Sequence, residues 1–250
     1  MPSVPPQDRA IRTIRAITLD LDDTLWPVGP TILRAERLAH EWLLQHAPAV
    51  AAAWPVERLR ALRMTILESR ADLRHDLLAV RRLALETAFD ESAVRDAGNP
   101  QRIDDALDVF MAARNQVDLY PEVAASLERL SKRYRIASLT NGNADLARIG
   151  LNHLFQATVS AHAHGTSKPD PALFHIACRA LDCAPGEVVH LGDDAELDVR
   201  GARGAGLHAV WINRASVPWV GDDPPVTVRD LDAFERWLEN GGPASRGSAG

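Results

Sequence analysis

Residues Ile14 to Leu19 are an apolar, β-favouring run that ends directly in Asp20-Leu21-Asp22-Asp23-Thr24. A strand that finishes in two carboxylates one residue apart sets them together at the carboxyl edge of a sheet. Packing offers no reason for this, because carboxylates repel one another and are costly to desolvate. A cation has to hold them, and a divalent metal is the simplest candidate. With the charge held, one carboxylate can act as a nucleophile while its neighbour moves protons. The chain is therefore confined to folds in which strand ends converge on a charged site.

Two further segments end in the same way. The short apolar run Arg135 to Leu139 leads into Thr140-Asn141-Gly142-Asn143, and Val188 to Leu191 leads into Gly192-Asp193-Asp194. Helical stripes separate them: Glu122 to Lys132, Pro171 to Leu181, about Glu196 to Ala205 stopped by Gly206, and a closing helix at Leu231 to Leu238. Further strands are expected at Ala157 to Ser160 and His208 to Ile212. Strands alternating with helices predict a parallel sheet covered on both faces, with function at the carboxyl ends of its strands.

Between the first and second strands the period changes. Pro27, Gly29 and Pro30 mark a linker, and apolar residues then recur at helical spacing. One stripe runs through Ile32, Ala35, Ala39 and Leu43, a second from Val56 to Leu73, and a third from Leu77 to Phe89. A fourth opens at Asn99-Pro100 and continues through Ile103, Ala106, Leu107, Phe110, Ala113 and Val117. The expected architecture is an α/β core, residues 10–26 and 118–240, split by an all-helical unit of about four helices at 27–117. Residues 1–9 and 241–250, rich in Pro or Gly and Ser, are expected to be disordered tails.

Composition narrows the function classes. The chain has 250 residues, a formal net charge of -6 and no long basic run, which argues against a nucleic-acid backbone as partner. No apolar run approaches the roughly 20 residues of a membrane span, and the first residues lack the apolar stretch of a signal peptide. Cys178 and Cys183 have neither redox-pair nor zinc spacing and read as reduced thiols of a cytoplasmic protein. Lys132 and Lys168 are the two lysines among 28 basic residues. Lys168 lies in Ser167-Lys168-Pro169, a loop heading a helix, where a compact ammonium differs physically from a planar fork.

These four pieces together resemble the haloacid dehalogenase superfamily: Asp20 to Thr24, Thr140 with Asn141, Lys168 before Pro169, and Gly192 to Asp198. The helical unit matches the superfamily's inserted cap domain over a Rossmann-like core. The resemblance implies that Asp20 is the nucleophile, forming an aspartyl-phosphate, and that Asp22 protonates the leaving alkoxide and then deprotonates water. It implies Mg²⁺ at Asp20, at the backbone carbonyl of Asp22 and at Asp193. Phosphate contacts would come from Thr140, Lys168 and backbone donors around Asp22, Asp23 and Asn141. Asp194 and Asp198 would orient Lys168 or a metal-bound water, or serve only as acids at a helix start.

An aspartate at position 22 favours an alkoxide leaving group, because a halide needs no proton; by resemblance, dehalogenases lack it. The stretch Asp20 to Arg37, with His164-Gly-Thr-Ser-Lys-Pro169 and His190-Leu-Gly-Asp-Asp194, is also similar to bacterial flavin-pathway phosphatases. Those act on 5-amino-6-(5-phospho-D-ribitylamino)uracil and FMN. Three alternatives stay open: a phosphomutase, a 2-haloacid dehalogenase, and a phospho-accepting module without turnover. The expected partner is a small phosphorylated metabolite. Trp26 could stack on a leaving group or pack the hinge. His162 and His164 could touch substrate or be solvated. Arg74, His75, Asp76 and Arg81 could read the leaving group or form ion pairs.

Overall fold

The structure, a computed structural model, describes residues 13–92 and 96–245. Residues 1–9, expected to be a tail, lie outside the described residues, as do 246–250. Gly242–Ser245, in the other expected tail, forms a short 3-10 turn.

Six parallel strands make one sheet: β1 (Ala16–Leu19), β2 (Arg135–Thr140), β3 (Ala157–Ser160), β4 (Val188–Gly192), β5 (His208–Ile212) and β6 (Val226–Val228). Their order is β3-β2-β1-β4-β5-β6. β1 is buried along its whole length, as a central strand covered on both faces must be. Alternation assigns its side chains to two layers. Ile17 and Leu19 join Val189, Leu191, Leu127 and Phe234 on one face, under α6 (Val123–Ser131) and α11 (Leu231–Glu239). Ala16 joins Leu139, Phe174 and Ala202 on the other, under α9 (Pro171–Ala180) and α10 (Gly201–Gly204). Two single-turn helices, α7 (Leu146–Ile149) and α8 (Ala161–His164), follow β2 and β3.

Among the described residues between β1 and α6 lie five α-helices: α1 (Val28–His46), α2 (Pro48–Ala53), α3 (Val56–Ser69), α4 (Leu77–Glu91) and α5 (Asn99–Arg114). About four were expected. The difference is α2: Pro48 closes α1 but also opens a new helix at N1, where its fixed φ is pre-organised. α1 lies along α5, with Ala35, Phe110 and Ala113 in contact, and Leu43, Trp54, Phe89 and Leu107 fill the centre of the bundle. The two connections between bundle and sheet run side by side, joined by Tyr120 N–H donating to Leu25 O at 3.0 Å.

Two further elements depart from the sequence reading. The helix expected from about Glu196 to Ala205 is a π-helix (Ala195–Arg200) leading into α10, with the Val199 N–H reaching back to Asp194 O. β6, three residues long, gave no readable alternation.

Candidate active site

β1 and β4 start connections that leave in opposite directions, so a crevice opens between their carboxyl ends. Asp20 and Asp193 emerge there. Leu19 pairs with Leu191, and the Asp20 N–H extends the ladder by one bond to Leu191 O at 3.0 Å. After Asp20 the chain turns sharply. The Leu25 N–H bonds Leu21 O, the Asp23 N–H bonds Trp26 O, and Asp23 takes a φ of 56°, which a short polar residue tolerates. The Asp23 carboxylate caps this turn by accepting from Val28 N at 2.9 Å. The Asp23 N–H and its Oδ1 are thus both engaged within the turn.

Lys168 bridges two buried carboxylates. Its Nζ is 2.5 Å from Asp20 Oδ1 and 2.6 Å from Asp198 Oδ1. Asn141 sets the lysine's backbone, accepting from Lys168 N at 2.8 Å and donating to Lys168 O at 3.0 Å. Asp198 also meets His190 Nε2 at 3.0 Å and accepts from Asp194 N, while His190 Nδ1 meets Thr18 Oγ1 at 2.9 Å. The carboxyl group of Asp198 fills the space a Cβ would need at position 192, so glycine there admits it. Of the two alternatives for residues 194 and 198, Asp198 orients Lys168, and the Asp194 side chain accepts from Glu196 N and Leu197 N as a helix cap.

One oxygen each of Asp20, Asp193 and Asp198 lies within 4.8 Å of the others. Burial first, then the charges of Asp198 and Asp193, raise the Asp20 carboxyl well above its ordinary range despite Lys168. Burial, followed by Asp198 and Asp23, pushes Asp193 up to about 7. Burial would raise Asp198 too, but Lys168 and His190 outweigh it and hold Asp198 below the usual carboxylate range. Burial pulls at Lys168, yet Asp198 and Asp20 raise it on balance. Asp198 is thus satisfied by the Lys168 ammonium and the His190 hydrogen bond, whereas Asp20 and Asp193 share an excess of negative charge. That donor set, hard oxygens in a crevice, fits Mg²⁺.

Thr140 is buried at the end of β2, where its Oγ1 accepts from Gly142 N at 2.9 Å. The hydroxyl hydrogen is left for an acceptor in the crevice. Asp22 stands to one side, its two carboxylate oxygens both 2.7 Å from Arg114 Nη2 and its Oδ1 accepting from Trp26 Nε1 at 2.9 Å. Trp26 is fully buried in the core beside the sheet, so it presents no exposed stacking face. Arg81 is enclosed by Glu36 and the Phe110 ring, 3.6 Å away, inside the bundle. His162 Nδ1 lies 3.0 Å from Asp76 Oδ2, joining α8 to the bundle.

Sequence reading missed Arg114, His190 and Thr24, whose Oγ1 donates to Asp193 Oδ1 at 3.2 Å. Only Arg114 left a signal. It falls four residues after Phe110, on the apolar stripe of α5, where a solvated arginine has no place.

The chain matches the haloacid dehalogenase-like hydrolase family over residues 14–206. The 5-amino-6-(5-phospho-D-ribitylamino)uracil phosphatase YigB of Escherichia coli (strain K12) is 32% identical to it over 204 residues, covering 82% of this chain and 85% of that protein. A phosphoserine phosphatase of Thermus thermophilus is 39% identical over 58% of this chain and 61% of that one. The crystal structure of a 2-haloacid dehalogenase from Pseudomonas syringae pv. Tomato superposes with a TM-score of 0.85 at 35% identity, over 91% of this chain and 99% of that one.

Proposed function

This chain belongs to the haloacid dehalogenase-like hydrolases, and on that premise we propose that it is a Mg²⁺-dependent phosphatase of small phosphate monoesters working through an aspartyl-phosphate on Asp20. The observation that carries the reading is the Lys168 ammonium 2.5 Å from Asp20 at the β1–β4 crevice, with Asp193 and Thr140 at the neighbouring strand ends.

A phosphate monoester is an anion that resists attack by another anion, so charge neutralisation and alignment dominate the barrier. Asp20 attacks phosphorus while the bond to the ester oxygen breaks, and Asp22 gives that oxygen its proton. The alcohol departs. Water then attacks the aspartyl-phosphate, giving a proton to Asp22, and the bond from phosphorus to Asp20 breaks to release inorganic phosphate. Lys168 and Thr140 hold phosphoryl oxygens, with the lysine fixed by Asn141 and Asp198. Asp20, Asp193 and the Asp22 carbonyl would hold Mg²⁺, whose chemistry is to neutralise charge between carboxylates and the phosphoryl group.

Residues 27–117 are read as a cap over a core of 10–26 and 118–240. The hinge pair Asp22–Arg114 and the contact of Asp76 with His162 support this. The likeness to YigB supports 5-amino-6-(5-phospho-D-ribitylamino)uracil as a candidate substrate. Two free thiols, and the absence among the described residues of any helix long and apolar enough to cross a membrane, support a cytoplasmic setting.

The test is release of inorganic phosphate, with and without Mg²⁺, from a panel holding FMN, sugar phosphates and phosphoserine, with 2-chloropropionate as the halide-releasing control. Phosphate release that Asp22→Asn lowers about 10²–10⁴-fold is expected. Chloride release without phosphate release would move the chain to the dehalogenase reading.

A further inference from the structure

Arg114 ends α5 and is 1% exposed. Its Nη2 spans both oxygens of Asp22, while its Nε and Nη1 are buried with no hydrogen-bond partner. An arginine kept for stability normally lays two nitrogens against two oxygens and satisfies its remaining donors. This one does neither. All of its recognised bonding goes through a single nitrogen into one carboxylate, and its other N–H groups are left uncompensated.

The surroundings are cut to fit that contact. A Cβ at position 142 would lie 2.7 Å from Asp22 Oδ2 and 3.5 Å from Arg114 Nη2, so glycine clears the place where the pair meets the turn after β2. Trp26 Nε1 fixes Asp22 Oδ1 from another side. None of the hydrogen bonds or ion pairs of Arg114 reaches Asp20, Lys168 or Asp193.

We propose that Arg114 is a positioning residue for proton transfer: it sets the direction in which Asp22 faces the leaving-group oxygen, and it does so from the helical insertion. This rests on the phosphatase reading above. The consequence is selective. Loss of Arg114 leaves nucleophilic attack by Asp20 intact and impairs delivery of the proton. Alkyl phosphates, whose alkoxide needs that proton, suffer; p-nitrophenyl phosphate, whose phenolate leaves unaided, does not.

The experiment compares full-length wild type, Arg114→Met, Arg114→Lys and Asp22→Asn, with Mg²⁺ and enzyme in excess. The rate of alcohol or phenol release is read for glycerol 2-phosphate and p-nitrophenyl phosphate. Asp22→Asn and Arg114→Met are each expected to lose about 100-fold on the alkyl ester and only a few-fold on the aryl ester, with saturation concentrations little changed. Arg114→Lys falls between, because its ammonium keeps a charge for Asp22 but carries it as a point on a differently shaped side chain. Added guanidinium restores part of the alkyl rate to Arg114→Ala, which keeps the proposal testable if Arg114→Met does not fold. If Asp22→Asn separates the two esters while Arg114→Met slows both equally or shifts only the saturation concentration, Arg114 is not a positioning residue and the phosphatase reading survives. If Asp22→Asn fails to separate them, the acid role of Asp22 and the role of Arg114 fall together.

Discussion

Lys168 shows what a single residue does in this site. It is buried at 4% exposure, and its charge stands between two carboxylates that are 7% and 1% exposed. Such a group stabilises only as part of its set, because removing one partner of a buried ion pair leaves the other uncompensated. Lys168→Met should therefore cost about 3–5 kcal/mol of folding stability as well as all turnover. Urea unfolding checks the first and phosphate release the second. An unchanged midpoint would mean that the carboxylates escape through protonation or solvent, and that the lysine is present for chemistry alone. The importance of Lys168 was legible in sequence because arginine fills nearly every other basic position. Asp20 and Asp193 were legible because strand ends are readable from apolar runs. His190 was not: a histidine inside a buried strand reads as core, and its partner Asp198 is brought to it by a π-turn that spacing rules do not anticipate. Arg114 meets Asp22 across 92 positions, a distance at which local pattern carries no contact information.

The elements were mostly legible, since β1, β4 and β5 are apolar runs bounded by polar turns and the bundle helices have apolar stripes. What pattern could not give is how the bundle helices lock together. Glu36 on α1, 5% exposed, receives Arg60 at 2.5 Å and Arg63 from α3, and lies 3.5 Å from Arg81 of α4. Burial, then the neighbouring Arg63, pulls Arg81 down to about 9 despite the favourable pull of Glu36. One acid thus offsets three mutually repelling cations and ties three helices. Glu36→Ala would leave that repulsion bare, and a loss of about 3–5 kcal/mol is expected. Glu36→Gln, which keeps the shape and removes the charge, should be nearly as damaging. Denaturant midpoints on both variants check this. A mild Glu36→Gln would show that hydrogen bonding, not charge, holds the three arginines.

At the scale of the whole molecule, the sheet order decides the electrostatics. Strand ends on either side of the β1–β4 crevice deliver Asp20 and Asp193 to one place, and the net charge of -6 offers no general relief. The metal-free protein therefore titrates there. Asp193 is raised from 3.8 to about 7, mainly by burial and then by Asp198 and Asp23. A carboxyl whose folded value lies above its unfolded one stabilises below the unfolded value and loses that contribution as pH rises through the folded value. For Asp193 the loss runs from about pH 4 to about pH 7, where the buried group becomes charged. Mg²⁺ binds only the ionised form, so below pH 7 it must displace a proton and its affinity falls with pH. The gain in melting temperature from Mg²⁺ over EDTA should then be small at pH 5.5 and should grow toward pH 7.5, at about 3 °C per pH unit for the Asp193 proton, and more steeply where Asp20, also raised, gives up a proton as well. Taking the difference at each pH cancels groups the metal does not touch, such as His190, whose own value is lowered by burial. Asp193→Asn should abolish the gain at every pH. A gain that is equally large at pH 5.5 and 7.5 would place the ion somewhere other than beside Asp193.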